Sequence, residues 1–301
     1  MPARVFISCG QATPEERGAA SEIRRLLRSK GFDPYVAIQT QSIQDVNSGI
    51  IKELKRADYY VFVDFRREKL VLDGSEAWRG SLFTNQELAI VYILGFEKVI
   101  FFQQEGVLLE GLMKYMGSNA TRFATTDELL KSLAESIGDK DWNDSYTRHL
   151  IAARPRWSNG LIRFGQLTGR FLYIDVENRR DDLAGFDTVA RLAFITGPKG
   201  TRDPSPNRSH LKTTGQPGFV QIIWPRSHGA FDVLVIDATN PCQVFLNNAL
   251  DVTPLMPVIT SSGLYKLEYE VLARDFPVLN FALTLNVTGK CETTEAHLIY
   301  D

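Results

Sequence analysis

The side chains best suited to chemistry cluster around one stretch, Arg79-Gly80-Ser81-Leu82-Phe83-Thr84-Asn85-Gln86-Glu87-Leu88-Ala89-Ile90. Thr84 and Glu87 have the spacing of a capping box, and an apolar run follows them. Glu87 is therefore expected in the first turn of a helix that stops at Gly95. The preceding loop is small and polar, and in an α/β sheet such loops lie beyond the carboxyl ends of the strands, where ligands bind. A Glu at this spacing also serves simply as the reciprocal cap, so spacing alone does not make it catalytic. Around it the loops after two strands bring further candidates. Ser8, Cys9 and Gly10 have side chains small enough to admit a phosphate or ribose to the backbone. Asp64 and Arg66 follow another strand, and Arg66 could pair with a phosphate. Phe83 and Trp78 offer aromatic faces for a base.

Other chemistries lack their residues. The histidines His149, His210, His228 and His297 are scattered with no HxxxH pair, so no metal site is expected. Cys9 has no histidine in a recognised pattern, which makes a small buried residue its expected role. No GxSxG elbow, GxGxxG fingerprint or GxxxxGK[ST] loop occurs, so a nucleotide would be held by another device.

The elements that must carry these residues alternate. Arg4–Ser8 reads as a short apolar strand. Thr13-Pro14-Glu15-Glu16 starts a helix with a Thr cap, Pro at its first position and Glu at the capping-box position. Gly31 ends that helix. Strands at 34–38, 59–64 and 98–102 follow, with helices from 43, at Glu87 and from Thr126. The polar loop Gln39–Ser42 joins the second strand to the second helix. This βα alternation closes near residue 150 and predicts four parallel strands in a doubly wound sheet.

Three segments in order carry a resemblance. Val5-Phe6-Ile7-Ser8 resembles the opening strand of TIR (Toll/interleukin-1 receptor) domains. Ile50 to Phe65 resembles their second helix and third strand, and Phe83-x-x-x-Glu87 resembles their Trp-x-x-x-Glu motif, with Phe in place of Trp. The resemblance covers about residues 4–135. It implies a flavodoxin-like α/β domain with Glu87 as the catalytic group, and NAD as substrate with no separate cofactor. It further implies cleavage of the nicotinamide–ribose bond by hydrolysis or cyclisation in prokaryotic antiviral defence, and a homo-oligomer whose pocket a neighbouring copy completes. The same residues are similar to nucleoside 2-deoxyribosyltransferases, through Asp64 after "Ala-Asp" and Thr84-x-x-Glu87. A non-catalytic TIR-like scaffold is the reading from another class. In both enzyme families a carboxylate meets an oxocarbenium-like sugar, which it can stabilise or trap.

Beyond about residue 155 the pattern changes. Runs at 171–176, 189–195, 219–224, 231–236, 244–246, 264–271 and 280–287 read as strands, the run at 264–271 alternating most cleanly. An immunoglobulin-like β-sandwich over 155–301 is expected, behind an α/β domain at 1–150. Its expected role is sensing or assembly, including recognition of a protein or phage trigger. Gly197–Gly218 reads as a long mobile loop. The 301 residues are 44% hydrophobic and 23% charged, a globular composition. Basic and acidic residues number 34 and 36, for a net charge of −2, so no nucleic-acid partner is expected. The 3 cysteines form no CxxC pair, and a cytoplasmic location follows as the expectation. No apolar run approaches the ~18 residues of a membrane span, and no membrane association is expected.

Overall fold

The computed structural model describes residues 2–36, 43–72, 75–116, 120–164, 167–205, 210–216, 218–247 and 256–299. The loop Gln39–Ser42 lies outside them. The chain divides into two compact units, Met1–Thr147 and Arg148–Asp301.

The first unit is a parallel α/β sheet. Its elements are β1 (Arg4–Cys9), α1 (Pro14–Ser29), β2 (Asp33–Val36), α2 (Ile43–Arg56), β3 (Tyr59–Asp64), β4 (Glu68–Leu72), β5 (Ser75–Arg79), α3 (Leu82–Ile93), β6 (Val99–Gln104), α4 (Leu112–Met116), β7 (Thr121–Phe123) and α5 (Thr126–Asp139). The sheet order β2-β1-β3-β6-β7 is the flavodoxin-like one, with its switch point between β1 and β3. It has five strands rather than four, because the short β7 pairs in parallel with β6.

Alternation along the strands divides the core between two faces. Val5, Ile7 and Cys9 of β1, with Tyr59, Val61 and Val63 of β3, pack beneath α1 and α5. Phe6, Tyr60 and Phe62 pack on the other face with Leu54 of α2, Leu88 and Val91 of α3 and Met113 of α4. The helices fit because their apolar residues recur at helical spacing. Ala19, Ala20, Ile23 and Leu27 are buried in α1, and Leu129, Leu133 and Ile137 in α5. The α1 start forms as its sequence dictates, with Thr13 accepting from the Glu16 amide and Glu16 reaching back to the Thr13 amide. Gly31 adopts φ 88°, the left-handed turn that ends the helix.

The stretch between Asp64 and Ser81 is more than a loop. β4 and β5 pair as an antiparallel hairpin, with Leu72 opposite Ser75. The intervening sequence, Asp73-Gly74, is the dipeptide signal for such a hairpin.

The second unit is all β, with strands β8 (Leu150–Ala152), β9 (Arg156–Trp157), β10 (Ile162–Phe164), β11 (Leu167–Asn178), β12 (Gly185–Thr196), β13 (Arg202–Pro204), β14 (Gln221–Ile223), β15 (His228–Asp237), β16 (Val244–Phe245), β17 (Gly263–Leu272), β18 (Leu279–Val287) and β19 (Glu295–Ile299). One antiparallel sheet runs β10-β11-β15-β16, with β8 and β9 also on β11; the other runs β13-β12-β17-β18-β19, with β14 on β12. Leu172, Ile174, Phe231 and Leu234 of the first share one core with Leu192, Leu267, Tyr269 and Leu283 of the second. The short strands β8, β9, β10 and β13 and the edge strand β19 add to the expected runs. The three cysteines are free, so no disulfide joins the sheets. The segment read as a mobile loop is partly built in: Arg202–Pro204 pairs with β12, and the Leu211 amide donates to the Ala190 carbonyl at 2.7 Å.

Candidate active site

The α3 helix starts three residues earlier than its sequence suggests. Ser81 is the N-cap and its hydroxyl accepts from the Thr84 amide at 3.5 Å, so Thr84 is not the cap. The Thr84 hydroxyl donates instead to the Ser81 carbonyl at 2.9 Å. Glu87 is therefore the sixth helical residue, in the second turn, and cannot serve as the reciprocal cap. What fixes it is helical periodicity: Thr84, Glu87, Leu88 and Val91 recur on the face turned to the sheet, and all four are buried. Glu87 enters the core as the charged residue of that face, beside Thr84, Leu88 and Val91.

Its partner comes from β1. Ser8 is fully buried and its hydroxyl donates to Glu87 Oε2. The other carboxyl oxygen, Oε1, is buried with no hydrogen-bond partner. Only 4% of Glu87 is exposed. Burial pushes its pKa from 4.5 to about 7, against the opposing pull of the Ser8 hydroxyl. A carboxyl in this state exchanges its proton near neutrality, the range useful for acid–base or nucleophilic work.

A second carboxyl lies at the end of β3 on the same face. Phe62 pairs with Ser8, and Asp64 lies two residues further along β3. Pleated geometry then puts the Ser8 and Asp64 Cα atoms roughly 8 Å apart. Asp64 is 2% exposed, and burial raises its pKa from 3.8 to about 6. Both its oxygens are engaged: Oδ1 accepts from the Ser81 amide at 2.9 Å, and Oδ2 from Gln103 Nε2 at 3.5 Å. Gln103 lies directly across from Asp64 in the β3–β6 register. Gly80 makes this contact possible, since a Cβ there would lie 2.1 Å from both Asp64 oxygens. Asp64 thus pins the entry of α3, and with it the axial position of Glu87.

The other sequence candidates divide by face. Cys9 follows Ser8 and therefore points the opposite way, under α1, where it donates weakly to the Glu16 carbonyl at 3.8 Å. Burial, reinforced by the Glu16 charge, pushes its thiol far above the ordinary range. It belongs to the α1 core and not to the Glu87 side, and it is no nucleophile. Gly10 is pressed by the Glu16–Arg67 pair, with a Cβ there 2.6 Å from Glu16 Oε1 and 2.7 Å from Arg67 Nη2. Arg66 is committed to the β6 end: its amide donates to Gln104 Oε1 at 2.9 Å and its Nε to the Glu105 carbonyl at 2.5 Å. Trp78 belongs to β5, its amide donating to the Gly106 carbonyl at 3.1 Å. Phe83 packs half-buried against the α3-side core, so its ring serves packing. Ser8 and Glu87 are in contact, and Asp64 shares their face of the sheet; Cys9 faces α1, and Arg66 and Trp78 bond to residues 104–106 at the end of β6.

Two residues on this face were missed from sequence. Tyr60 is fully buried, and its hydroxyl closes no hydrogen bond. Gln103 is fully buried and also donates to the Leu108 carbonyl at 3.0 Å. The signal for both was alternation: each occupies the Asp64-side parity of its strand. Among the described residues no group of His, Cys, Asp and Glu could hold a metal ion, and no helix is long and apolar enough to cross a membrane.

The chain matches no protein-family model and no curated protein. Among solved structures it is similar to a CMP N-glycosidase of Clostridium botulinum, with a TM-score of 0.33 and 17% identity over 44% of this chain and 98% of that one. It is also similar to a 2-deoxyribosyltransferase of Bacillus psychrosaccharolyticus, with a TM-score of 0.30 and 17% identity over 42% of this chain and 90% of that one. A β-glucosidase of Erythrobacter marinus follows, with a TM-score of 0.29 and 11% identity over 94% of this chain and 46% of that one. Likeness this remote assigns no activity.

Proposed function

We propose that the first unit cleaves an N-glycosidic bond between a ribose-type sugar and a base, with Glu87 as the catalytic carboxylate. The observation that carries this reading is Glu87 Oε1, a buried carboxyl oxygen without a partner. Desolvation makes such an oxygen a strong ligand for positive charge. Breaking an N-glycosidic bond creates that charge at C1′.

NAD is the favoured substrate class. Its C1′–N bond breaks with the electron pair leaving on nicotinamide, which departs neutral and needs no acid. Glu87 meets the cationic C1′, and water then adds there and gives its proton to Glu87 or solvent. The engagement of both Asp64 oxygens supports this choice, because Asp64 is occupied in holding α3 and is a poor proton donor. A second reading, cleavage of an ordinary nucleoside or nucleotide, draws on the raised pKa of Asp64. There Asp64 would protonate the departing base. The low exposure of Glu87 means that the side chains covering it must part to admit substrate. Assembly into homo-oligomers, a trigger read by the second unit, a cytoplasmic location and a role in defence remain proposals of the same account.

The test is incubation of the full chain with NAD, CMP and deoxynucleosides from pH 6 to 9, with chromatographic detection of released base. Nicotinamide release supports the first substrate class, and free base from CMP or a deoxynucleoside only supports the second. Release from none of them across a wide range of enzyme concentration would leave the non-catalytic scaffold as the account.

A further inference from the structure

Two orphaned polar atoms, Tyr60 Oη and Glu87 Oε1, flank one hydrogen-bonded hydroxyl, Ser8 Oγ. Buried polar atoms without partners are rare, and two in one cluster call for a physical explanation. Tyr60 stands opposite Phe6 in the β1–β3 register, so Tyr60 and Ser8 are diagonal neighbours on the α3 face. The Tyr60 ring is held by Phe6, stacked at 5.9 Å, and by Phe96, edge-on at 6.1 Å. Burial and the Glu87 and Asp64 charges raise its pKa, and its closeness to the Ser8 hydroxyl opposes them, yet the pair falls short of a completed hydrogen bond in geometry.

We infer that Tyr60 is a positioning residue for Glu87, its hydroxyl donating to Ser8 Oγ when Glu87 ionises and so completing a chain from Tyr60 through Ser8 to Glu87 Oε2. The proton count supports a two-state cluster. When Glu87 is protonated, Ser8 holds Oε2 and the carboxyl proton resides on Oε1. When that proton leaves, the anion draws on every donor nearby. Ser8 has one hydrogen, already given to Oε2, but its oxygen can still accept one from Tyr60. Chains of this kind polarise one another and strengthen the terminal, charge-assisted bond.

Of the groups around Glu87, Tyr60 carries the fully buried hydroxyl without a completed hydrogen bond. β1 presents Ser8. β2 presents Tyr35, raised in pKa by burial and by Glu53 of α2, with Glu87 a lesser cause and Arg4 opposing. β3 presents Tyr60 and Asp64, and both Asp64 oxygens accept, from the Ser81 amide and Gln103 Nε2. Thr84 of α3 gives its hydroxyl hydrogen to Ser81. Cys9 feels Glu87 through the sheet but faces α1.

The inference concerns the ionisation of Glu87 and stands apart from the proposed activity, so its test need not use turnover. The full chain, labelled with ¹³C at glutamate side-chain carboxyls, is titrated by NMR, with Glu87→Gln identifying the Glu87 signal. In Tyr60→Phe the Glu87 midpoint should rise by 0.5 to 1 pH unit, a three- to tenfold loss of ionised form at a given pH. Ser8→Ala should raise it at least as far, and adding Tyr60→Phe to Ser8→Ala should add little, because the chain passes through Ser8. An unmoved midpoint in Tyr60→Phe would overturn the inference, as would fully additive shifts. If nicotinamide release is found, the acid limb of its pH profile should move with the NMR midpoint and the rate should recover at high pH. A uniformly lowered rate with an unmoved limb would show a merely structural role.

Discussion

The first unit holds two glutamates inside its core, Glu16 on the α1 face and Glu87 on the α3 face, exposed by 1% and 4%. They are buried alike and partnered oppositely. Glu16 Oε2 accepts from the Ala12 amide at 2.7 Å and the Thr13 amide at 3.0 Å, and Oε1, although it completes no hydrogen bond, lies 2.7 Å from the Arg67 guanidinium. Glu87 has Ser8 and an orphaned oxygen. The contrast teaches that burial alone does not mark a functional carboxylate. A carboxylate held by backbone amides and a guanidinium stabilises the fold, whereas one held by a single hydroxyl keeps its potential for a positive charge brought to it.

Mutations should separate the two residues. Glu87→Gln should lower the rate of base release by at least ~10³-fold at pH 7.5 while the circular dichroism spectrum stays native, a loss at the scale expected for a catalytic carboxylate. Full turnover in that variant would remove Glu87 from the chemistry.

Glu16→Ala should do the reverse. It removes the acceptor of two backbone amides and leaves the partly buried Arg67 without its carboxylate, at a cost of about 3 kcal/mol in denaturant unfolding. A cost below ~0.5 kcal/mol would break the comparison, because Glu16 would then not be structural.

The pH dependence of stability sharpens it. The native pKa of Glu87 lies above its ordinary value, so the native state holds its proton more tightly than the unfolded chain. The stabilisation is present below pH 4.5 and is lost as pH rises towards about 7. Asp64 contributes with the same sign between pH 3.8 and about 6. Wild type should lose up to about 3 kcal/mol of Glu87-linked stability between pH 4.5 and 8, and Glu87→Gln should lack that component. Parallel curves for the two proteins would show that Glu87 is not perturbed.

The smallest effect is expected at Gly80. Gly80→Ala places a Cβ against both Asp64 oxygens and should cost about 1–2 kcal/mol by forcing the α3 entry outward. It should also lower activity more than a surface Gly160→Ala, where a Cβ meets nothing within 4 Å. Equal activity in both would mean that Asp64 does not position α3.

How much of this was legible in the sequence varies with the physical signal. The α1 start was fully readable, because Thr13, Pro14 and Glu16 act through neighbours in the chain. The parallel core was readable from apolar runs, but β7 was not, since three residues carry too little pattern. The β4–β5 hairpin had a signal in Asp73-Gly74 that was overlooked. Glu87 was picked out by a motif, while its local geometry was misread: Thr84-x-x-Glu87 has capping-box spacing, but Ser81 caps the helix. Its true partner, Ser8, lies 79 residues away, and only the packing of α3 on β1 brings the two together. Tyr60 stayed hidden because an aromatic in an apolar strand reads as core. Cys9 was grouped with Ser8 although alternation sends the two to opposite faces.

The central claim is that Glu87 is the carboxylate of an N-glycosidic cleavage, and its most direct test is base release by wild type and Glu87→Gln side by side. Both would be measured on NAD, and on whichever nucleotide responds, at matched concentration and with unfolding curves showing both folded. The account predicts nicotinamide or free base from wild type, rising as pH passes through about 7, and none above background from Glu87→Gln. Equal release from the two folded proteins would contradict it.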